Sequence, residues 1–103
     1  MDQKLIEQIK AIIDQNQVVL FMKGSRLFPQ CGFSAQVVGI LKRLEVPFKD
    51  VNILTDQALR DGMKEYSEWP TFPQLYVGGQ LVGGCDIVNQ LYASGELEKL
   101  LKS

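Results

Sequence analysis

The chain has 103 residues, a formal net charge of −1 and a hydrophobic fraction of 46%, which together predict one soluble globular domain over residues 1–103. Because no block of like charge occurs, we expect no electrostatic binding to nucleic acid. No apolar run approaches the ~20 residues of a membrane span, and no signal peptide is recognisable at the start. Two cysteines and no histidine exclude a disulfide framework, Cys–His catalysis and His-ligated zinc.

The first part of the chain predicts a helix, a strand and a second helix. Apolar side chains recur at helical spacing over residues 3–16, and residues 17–23 contain an apolar run typical of a buried strand. A loop over residues 24–30 separates this strand from a helix that begins near Cys31. Cys31 therefore lies on a strand-to-helix connection.

The second part of the chain predicts a strand, a helix, a hairpin and two further helices. The strand covers residues 48–53, and the helix covers 55–67 with Thr55 as its N-cap. Gly78-Gly79 lies between two short apolar segments and is typical of a two-residue hairpin turn. A helix over residues 85–94 and a short leucine-containing helix then complete the chain.

This order of elements predicts an α/β fold. The strand–helix–strand segment implies two parallel strands joined by a right-handed crossover, and the hairpin adds two antiparallel strands. We therefore expect a four-stranded mixed sheet flanked by helices on both faces.

Cys31-Gly32-Phe33-Ser34 is the pattern that most clearly indicates chemistry. A cysteine at a helix start, with Lys23 across the loop, is expected to form a thiolate. The alternative is a small, inert core residue. Ser34 occupies the position where a redox C-x-x-C motif has its second cysteine. The usual thiol–disulfide exchange between the two cysteines of the motif therefore cannot occur in this chain.

Four motifs, in this order, resemble those of the monothiol (CGFS-type) glutaredoxins, which have a thioredoxin-like fold. The motifs are Met22-Lys23-Gly24-Ser25, Cys31-Gly32-Phe33-Ser34, Trp69-Pro70-Thr71-Phe72-Pro73-Gln74 and Gly83-Gly84-Cys85-Asp86. The resemblance covers nearly the whole chain and matches the short, single-domain form of bacteria and plastids. Two cysteines and no recognisable signal peptide predict a reducing compartment, the cytoplasm, or the plastid stroma if a transit peptide has been removed.

The resemblance implies a glutathione site centred on Cys31. Cys31 is then the thiol that meets glutathione, while Lys23 and Arg60 bind the carboxylate of the glycine end. A planar guanidinium suits a carboxylate well. The plainer alternatives are a solvated lysine at a strand end and an ordinary surface arginine on a helix.

The resemblance also implies a role for two backbone segments. The peptide bond between Phe72 and Pro73 is expected to be cis, with the Phe72 backbone pairing with the cysteinyl unit of glutathione; the alternative is an ordinary proline at a strand start. The backbone of Cys85 and the carboxylate of Asp86 are expected to hold the γ-glutamyl end. Asp86 has the alternative, or additional, role of a helix N-cap, and the Cys85 thiol is either inert or a resolving thiol.

By resemblance, the function is to carry [2Fe–2S] clusters to acceptor apoproteins, with BolA-type proteins as partners. A homodimer would hold the cluster through Cys31 and one glutathione from each chain, whereas Cys31 and Cys85 from two chains form a protein-only alternative. A second function is glutathione-dependent thiol–disulfide exchange, in which Cys31 acts by a monothiol mechanism. The third possible function is that of a thioredoxin-like scaffold that catalyses no reaction and binds no cluster.

Overall fold

The computed structural model describes residues 1–102, in which five helices and four strands follow one another. The helices are α1 (Gln3–Gln15), α2 (Gly32–Arg43), α3 (Gln57–Ser67), α4 (Cys85–Ser94) and α5 (Glu96–Leu101). The strands are β1 (Val18–Met22), β2 (Lys49–Asn52), β3 (Gln74–Val77) and β4 (Gln80–Gly83). Among the described residues, no helix is long and apolar enough to cross a membrane.

The four strands form one mixed sheet in the order β2-β1-β3-β4. Strand β1 pairs in parallel with β2 and antiparallel with β3, and β3 pairs antiparallel with β4. The sheet therefore has the parallel pair and the antiparallel hairpin that the sequence predicts. Because β1 is a central strand, all of its side chains are buried.

Alternate side chains of β1 enter two separate hydrophobic cores, one on each face of the sheet. Leu20 and Met22 pack with apolar side chains from α2, α4 and α5. Val19 and Phe21 pack with side chains from α1 and α3, and Phe21 makes an edge-on ring contact with Tyr76. Successive side chains of a strand point to opposite faces of the sheet. An uninterrupted apolar run such as β1 therefore indicates a strand whose two faces are both covered by helices.

The N-cap of α3 differs from the expected one, and the N-cap of α4 differs from the alternative role given to Asp86. Asp56, and not Thr55, caps α3: its carboxylate accepts a hydrogen bond from the N–H of Leu59 at 3.0 Å. The Thr55 hydroxyl donates instead to a carbonyl oxygen in the preceding turn. Gly84 is the N-cap of α4, and Asp86 lies in the first helical turn, so the N-cap alternative for Asp86 is wrong. Adjacent residues that both favour caps leave this choice to tertiary structure.

Candidate functional site

A cavity of about 520 Å³ lies where the end of β1, the start of α2, the loop before β3 and the start of α4 converge. Its lining includes Lys23, Cys31, Phe72, Cys85 and Asp86, which were all predicted for the site. A volume of this size is typical of a pocket for a small organic molecule. The fold therefore brings together motifs that are far apart in the sequence.

Arg60 is the predicted site residue that the structure does not place in the lining of this cavity. It lies on α3 and is half-buried, and its Nε makes no hydrogen bond within the described part of the chain. A buried N–H group without a partner is costly.

Cys31 is the N-cap residue of α2, and its extended backbone (φ −150°) precedes the free N–H groups of the first helical turn. The backbone N–H of Ser34 has the largest effect and lowers the pKa of the Cys31 thiol, against partial burial, which raises it. The Phe33 N–H and the charge of Lys23 lower this pKa further. The net result is a lowered pKa, which favours the nucleophilic and metal-binding thiolate.

Ser34 connects the two ends of the loop that precedes Cys31. Its side chain is fully buried, and its hydroxyl oxygen accepts a hydrogen bond from the Lys23 N–H at 3.2 Å. The same hydroxyl contributes to the lowered pKa of the Cys31 thiol. Ser34, which stands where a C-x-x-C motif has its second cysteine, therefore favours the thiolate form of Cys31.

The far wall of the cavity is formed by two segments in close contact. The peptide bond between Phe72 and Pro73 is cis, as the resemblance implies. A side chain at Gly84 would place its Cβ only 3.2 Å from Nε1 of Trp69, so only glycine fits there without displacement. Gln74 is fully buried and donates a hydrogen bond to the carbonyl oxygen of Trp69 at 3.1 Å, which fixes the turn.

The Cys85 thiol is held in a polar cluster that the sequence did not indicate. It donates a hydrogen bond to Oε1 of Gln36 at 3.2 Å, and Nδ2 of Asn89 donates to the same oxygen at 3.2 Å. Asn89 also lies 3.3 Å from the Cys85 sulfur. Burial raises the pKa of the Cys85 thiol, and the negative charges of Asp86 and Cys31 raise it further. The pKa values of the two thiols are thus shifted in opposite directions, downward for Cys31 and upward for Cys85.

Only one part of this cluster has a signal in the sequence. Asn89 follows Cys85 by four residues and so lies on the same face of α4. Gln36 lies 49 residues earlier on α2, and its approach depends on the packing of α2 against α4.

Comparison with known proteins agrees with this fold. The Glutaredoxin family profile matches residues 18–82. A crystal structure of a buckwheat glutaredoxin–glutathione complex superimposes with a TM-score of 0.86 at 20% identity, covering 97% of this chain and 89% of that one. At this identity the likeness supports the fold alone, which is the thioredoxin-like fold of the glutaredoxins.

Relatives of higher sequence identity indicate the subgroup of glutaredoxins to which the chain is similar. A probable monothiol glutaredoxin 2 of Rickettsia typhi is 57% identical over 102 residues, which cover 99% of this chain and 92% of the relative. The solution structure of reduced poplar apo GrxS14 is 54% identical with a TM-score of 0.84, over 95% of this chain and 90% of that one. The chain belongs to the glutaredoxin family, among its monothiol members.

Proposed function

We propose that the protein carries [2Fe–2S] clusters in a glutathione-dependent manner and delivers them to acceptor apoproteins. The observation that supports this most is the unequal chemistry of the two thiols beside one cavity. The lowered pKa of Cys31 favours the thiolate that iron binds, whereas the Cys85 thiol is buried, has a raised pKa and donates a hydrogen bond to Gln36. One chain therefore offers one ready sulfur ligand.

The number of ligands then requires a second chain and a second source of sulfur. A [2Fe–2S] cluster takes four ligands, usually thiolates. Within residues 1–102, no group of three or more cysteine, aspartate, glutamate or histidine side chains is placed to hold a metal. Two chains that each contribute Cys31 and one glutathione thiolate supply all four. The cluster is cargo in this account, and ligation by a small molecule favours its release.

Two charged side chains, Lys23 and Asp86, line the cavity, and glutathione is a tripeptide with a carboxylate at each end and an amine at one. Lys23 and Arg60 are proposed to bind the glycine carboxylate, and the Phe72 backbone to pair with the cysteinyl unit. The first turn of α4, where Cys85 and Asp86 lie, is proposed to hold the γ-glutamyl end: free backbone N–H groups suit its carboxylate, and the Asp86 carboxylate suits its amine.

Partners follow from this role. We propose a homodimer in the cluster-loaded state, acceptor apoproteins that receive the cluster, and BolA-type proteins as regulatory partners. The cytoplasm is the proposed compartment, because a reducing environment keeps Cys31 available as a thiolate.

The second candidate is glutathione-dependent thiol–disulfide exchange, which the lowered pKa of Cys31 also favours. In this reaction the Cys31 thiolate attacks the glutathione sulfur of a mixed disulfide, and the protein thiolate leaves. A second glutathione thiolate then attacks the Cys31–glutathione disulfide, which releases oxidised glutathione and restores Cys31. No second protein thiol is needed, so Ser34 does not prevent the reaction.

Anaerobic reconstitution with ferric iron and sulfide, with and without glutathione, tests the proposal. Visible absorption, circular dichroism and molecular mass in solution are measured for the wild type, Cys31→Ser and Cys85→Ser. The proposal predicts a coloured dimer that depends on glutathione and on Cys31, and that forms normally in Cys85→Ser.

Two outcomes would contradict the proposal. Cluster binding without glutathione that is lost in Cys85→Ser would indicate ligation by protein thiols alone. A folded but colourless monomer under both conditions, together with rapid turnover of a glutathione mixed disulfide, would favour the thiol-exchange enzyme instead.

A further inference from the structure

Gln74 is a polar side chain at a position where the strand pattern favours an apolar one. It begins β3, in which every residue is buried, and it pairs with Phe21 of the central strand β1. Its exposed fraction is 0%. Because burial of a carboxamide is unfavourable unless the group is hydrogen-bonded, the partners of Gln74 indicate why a polar residue stands here.

The Gln74 side chain donates its hydrogen bonds to the turn that precedes β3. Its Nε2 donates to the carbonyl oxygen of Trp69 at 3.1 Å and to that of Thr71 at 3.2 Å. This turn contains Pro70 and Pro73, and proline has no N–H to donate. Within residues 1–102, no backbone N–H donates to the Thr71 oxygen. Gln74 thus supplies a donor that the backbone around it lacks.

The Thr71 carbonyl and the Phe72 N–H belong to the same peptide group. This group is planar and trans, so its C=O and its N–H point in opposite directions. The hydrogen bond that holds the Thr71 oxygen against Gln74 therefore directs the Phe72 N–H away from Gln74. Phe72 lines the cavity, and its N–H makes no backbone hydrogen bond with the rest of the described chain.

The side chain of Phe72 holds this peptide group from its other end. It is only 5% exposed and packs in the core on the α1 and α3 face of the sheet. Since the Thr71 oxygen and the Phe72 side chain are both held by buried groups, the peptide group cannot rotate without loss of one of these contacts. The direction of the Phe72 N–H is therefore fixed before any ligand binds.

We propose that Gln74 is a positioning residue for glutathione, because it holds the Phe72 N–H in the direction that meets a carbonyl oxygen of the cysteinyl unit. This inference rests on the proposed function, which takes the Phe72 backbone as a partner of glutathione. A donor that is already oriented loses less conformational freedom when the ligand binds. Gln74 thereby contributes to the affinity for glutathione without contact with it.

The test is the dissociation constant for reduced glutathione, measured by an NMR titration of isotope-labelled, cluster-free protein under reducing conditions. Gln74→Met keeps an unbranched side chain of similar length and removes both amide hydrogens. We expect this variant to raise the dissociation constant about fivefold or more, which corresponds to one well-oriented hydrogen bond. The Phe72 amide signal should move when glutathione is added to the wild type, and much less in Gln74→Met.

Two controls separate a loss of positioning from a loss of stability. Val77→Ala weakens the far end of the same strand and leaves the Gln74 carboxamide in place. Gln80→Met makes the same substitution at an exposed position of β4. Both controls are expected to keep an affinity near that of the wild type and the movement of the Phe72 amide signal. Urea unfolding shows that each variant is folded during the titration.

Other results would overturn the inference. If the wild type binds glutathione and Gln74→Met binds it equally well, Gln74 does not position the donor. If Val77→Ala loses as much affinity as Gln74→Met, the loss follows stability. Should Gln74→Met not fold, Gln74→Asn, whose carboxamide lies one carbon nearer the backbone, takes its place, and wild-type affinity in that variant contradicts the role. If the wild type itself does not bind glutathione, the proposed function fails and the inference fails with it.

Discussion

The contact between Arg26 and Asp50 yields a quantitative prediction. Asp50→Ala removes two hydrogen bonds to a carboxylate, one from the backbone N–H of Arg26 and one from its Nε. Hydrogen bonds to charged groups contribute ~1.5–3 kcal/mol each, whereas exposed ion pairs contribute only ~0–1 kcal/mol. The Arg26 side chain is 36% exposed and that of Asp50 24%, so the contribution of this pair to the free energy of unfolding should lie between these limits.

From this geometry we expect Asp50→Ala to lower the free energy of unfolding by about 1–2 kcal/mol, since water replaces part of each lost hydrogen bond. In a domain of this size, that change lowers Tm by roughly 4–16 °C. Urea unfolding at neutral pH measures the free energy. A double-mutant cycle with Arg26→Ala isolates the side-chain part of the contact, because the alanine variant keeps the backbone N–H.

The same contact has a pH dependence of known sign. Burial raises the pKa of the Asp50 carboxyl, but the hydrogen bonds and charge of Arg26 outweigh it, so the net pKa is lowered. A carboxyl group with a lowered pKa in the folded state stabilises the protein above its unfolded pKa. This contribution is lost as the pH falls through the folded pKa. The difference between wild type and Asp50→Ala should therefore be full at neutral pH and shrink in acid.

Either of two results would contradict this role of the Asp50 carboxylate. One is an Asp50→Ala variant whose unfolding free energy lies within about 0.3 kcal/mol of the wild type, since that falls inside the range of ordinary surface substitutions. The other is a destabilisation that stays constant from neutral pH to acid, because it would not come from the ionised carboxylate.

Three further predictions concern the thiols and the core. Alkylation of native protein with iodoacetamide should modify Cys31 well before Cys85, because their pKa values are shifted in opposite directions; equal rates would contradict this. Ser34→Ala should move the pH midpoint of Cys31 alkylation upward, since the hydroxyl helps to lower that pKa and alanine keeps only the backbone N–H; an unchanged midpoint would show that the hydroxyl has no such effect. Leu41→Ala should destabilise the fold by about 3–5 kcal/mol in urea, because Leu41 is fully buried; a loss below about 1 kcal/mol would indicate a loosely packed core.

Much of the fold can be predicted from local sequence patterns. The apolar run of β1 indicates a central buried strand because each of its two faces meets a hydrophobic core. Gly78-Gly79 places the hairpin between β3 and β4 because few other residue pairs adopt the backbone of that turn. The N-cap of α3 could not be chosen in the same way, because Thr55 and Asp56 are both suitable and only the fold decides.

The site is less predictable because its fine structure depends on contacts between distant elements. Cys31 is recognisable from its position at a helix start, but the state of Cys85 depends on Gln36, which is 49 residues away. The attachment of the loop depends likewise on Arg26 and Asp50, which are 24 residues apart. No sequence pattern identifies the hydrogen-bonding partner of a polar residue on a strand or helix, so such pairs can be recognised only in the folded chain.

Native mass spectrometry of the anaerobically reconstituted protein tests the central proposal most directly, because it counts chains, clusters and glutathione in one particle. We expect two chains, one [2Fe–2S] cluster and two glutathione molecules in the wild-type particle, and neither cluster nor dimer in Cys31→Ser. A cluster-loaded particle that contains no glutathione, or a single chain that holds the whole cluster, would contradict it.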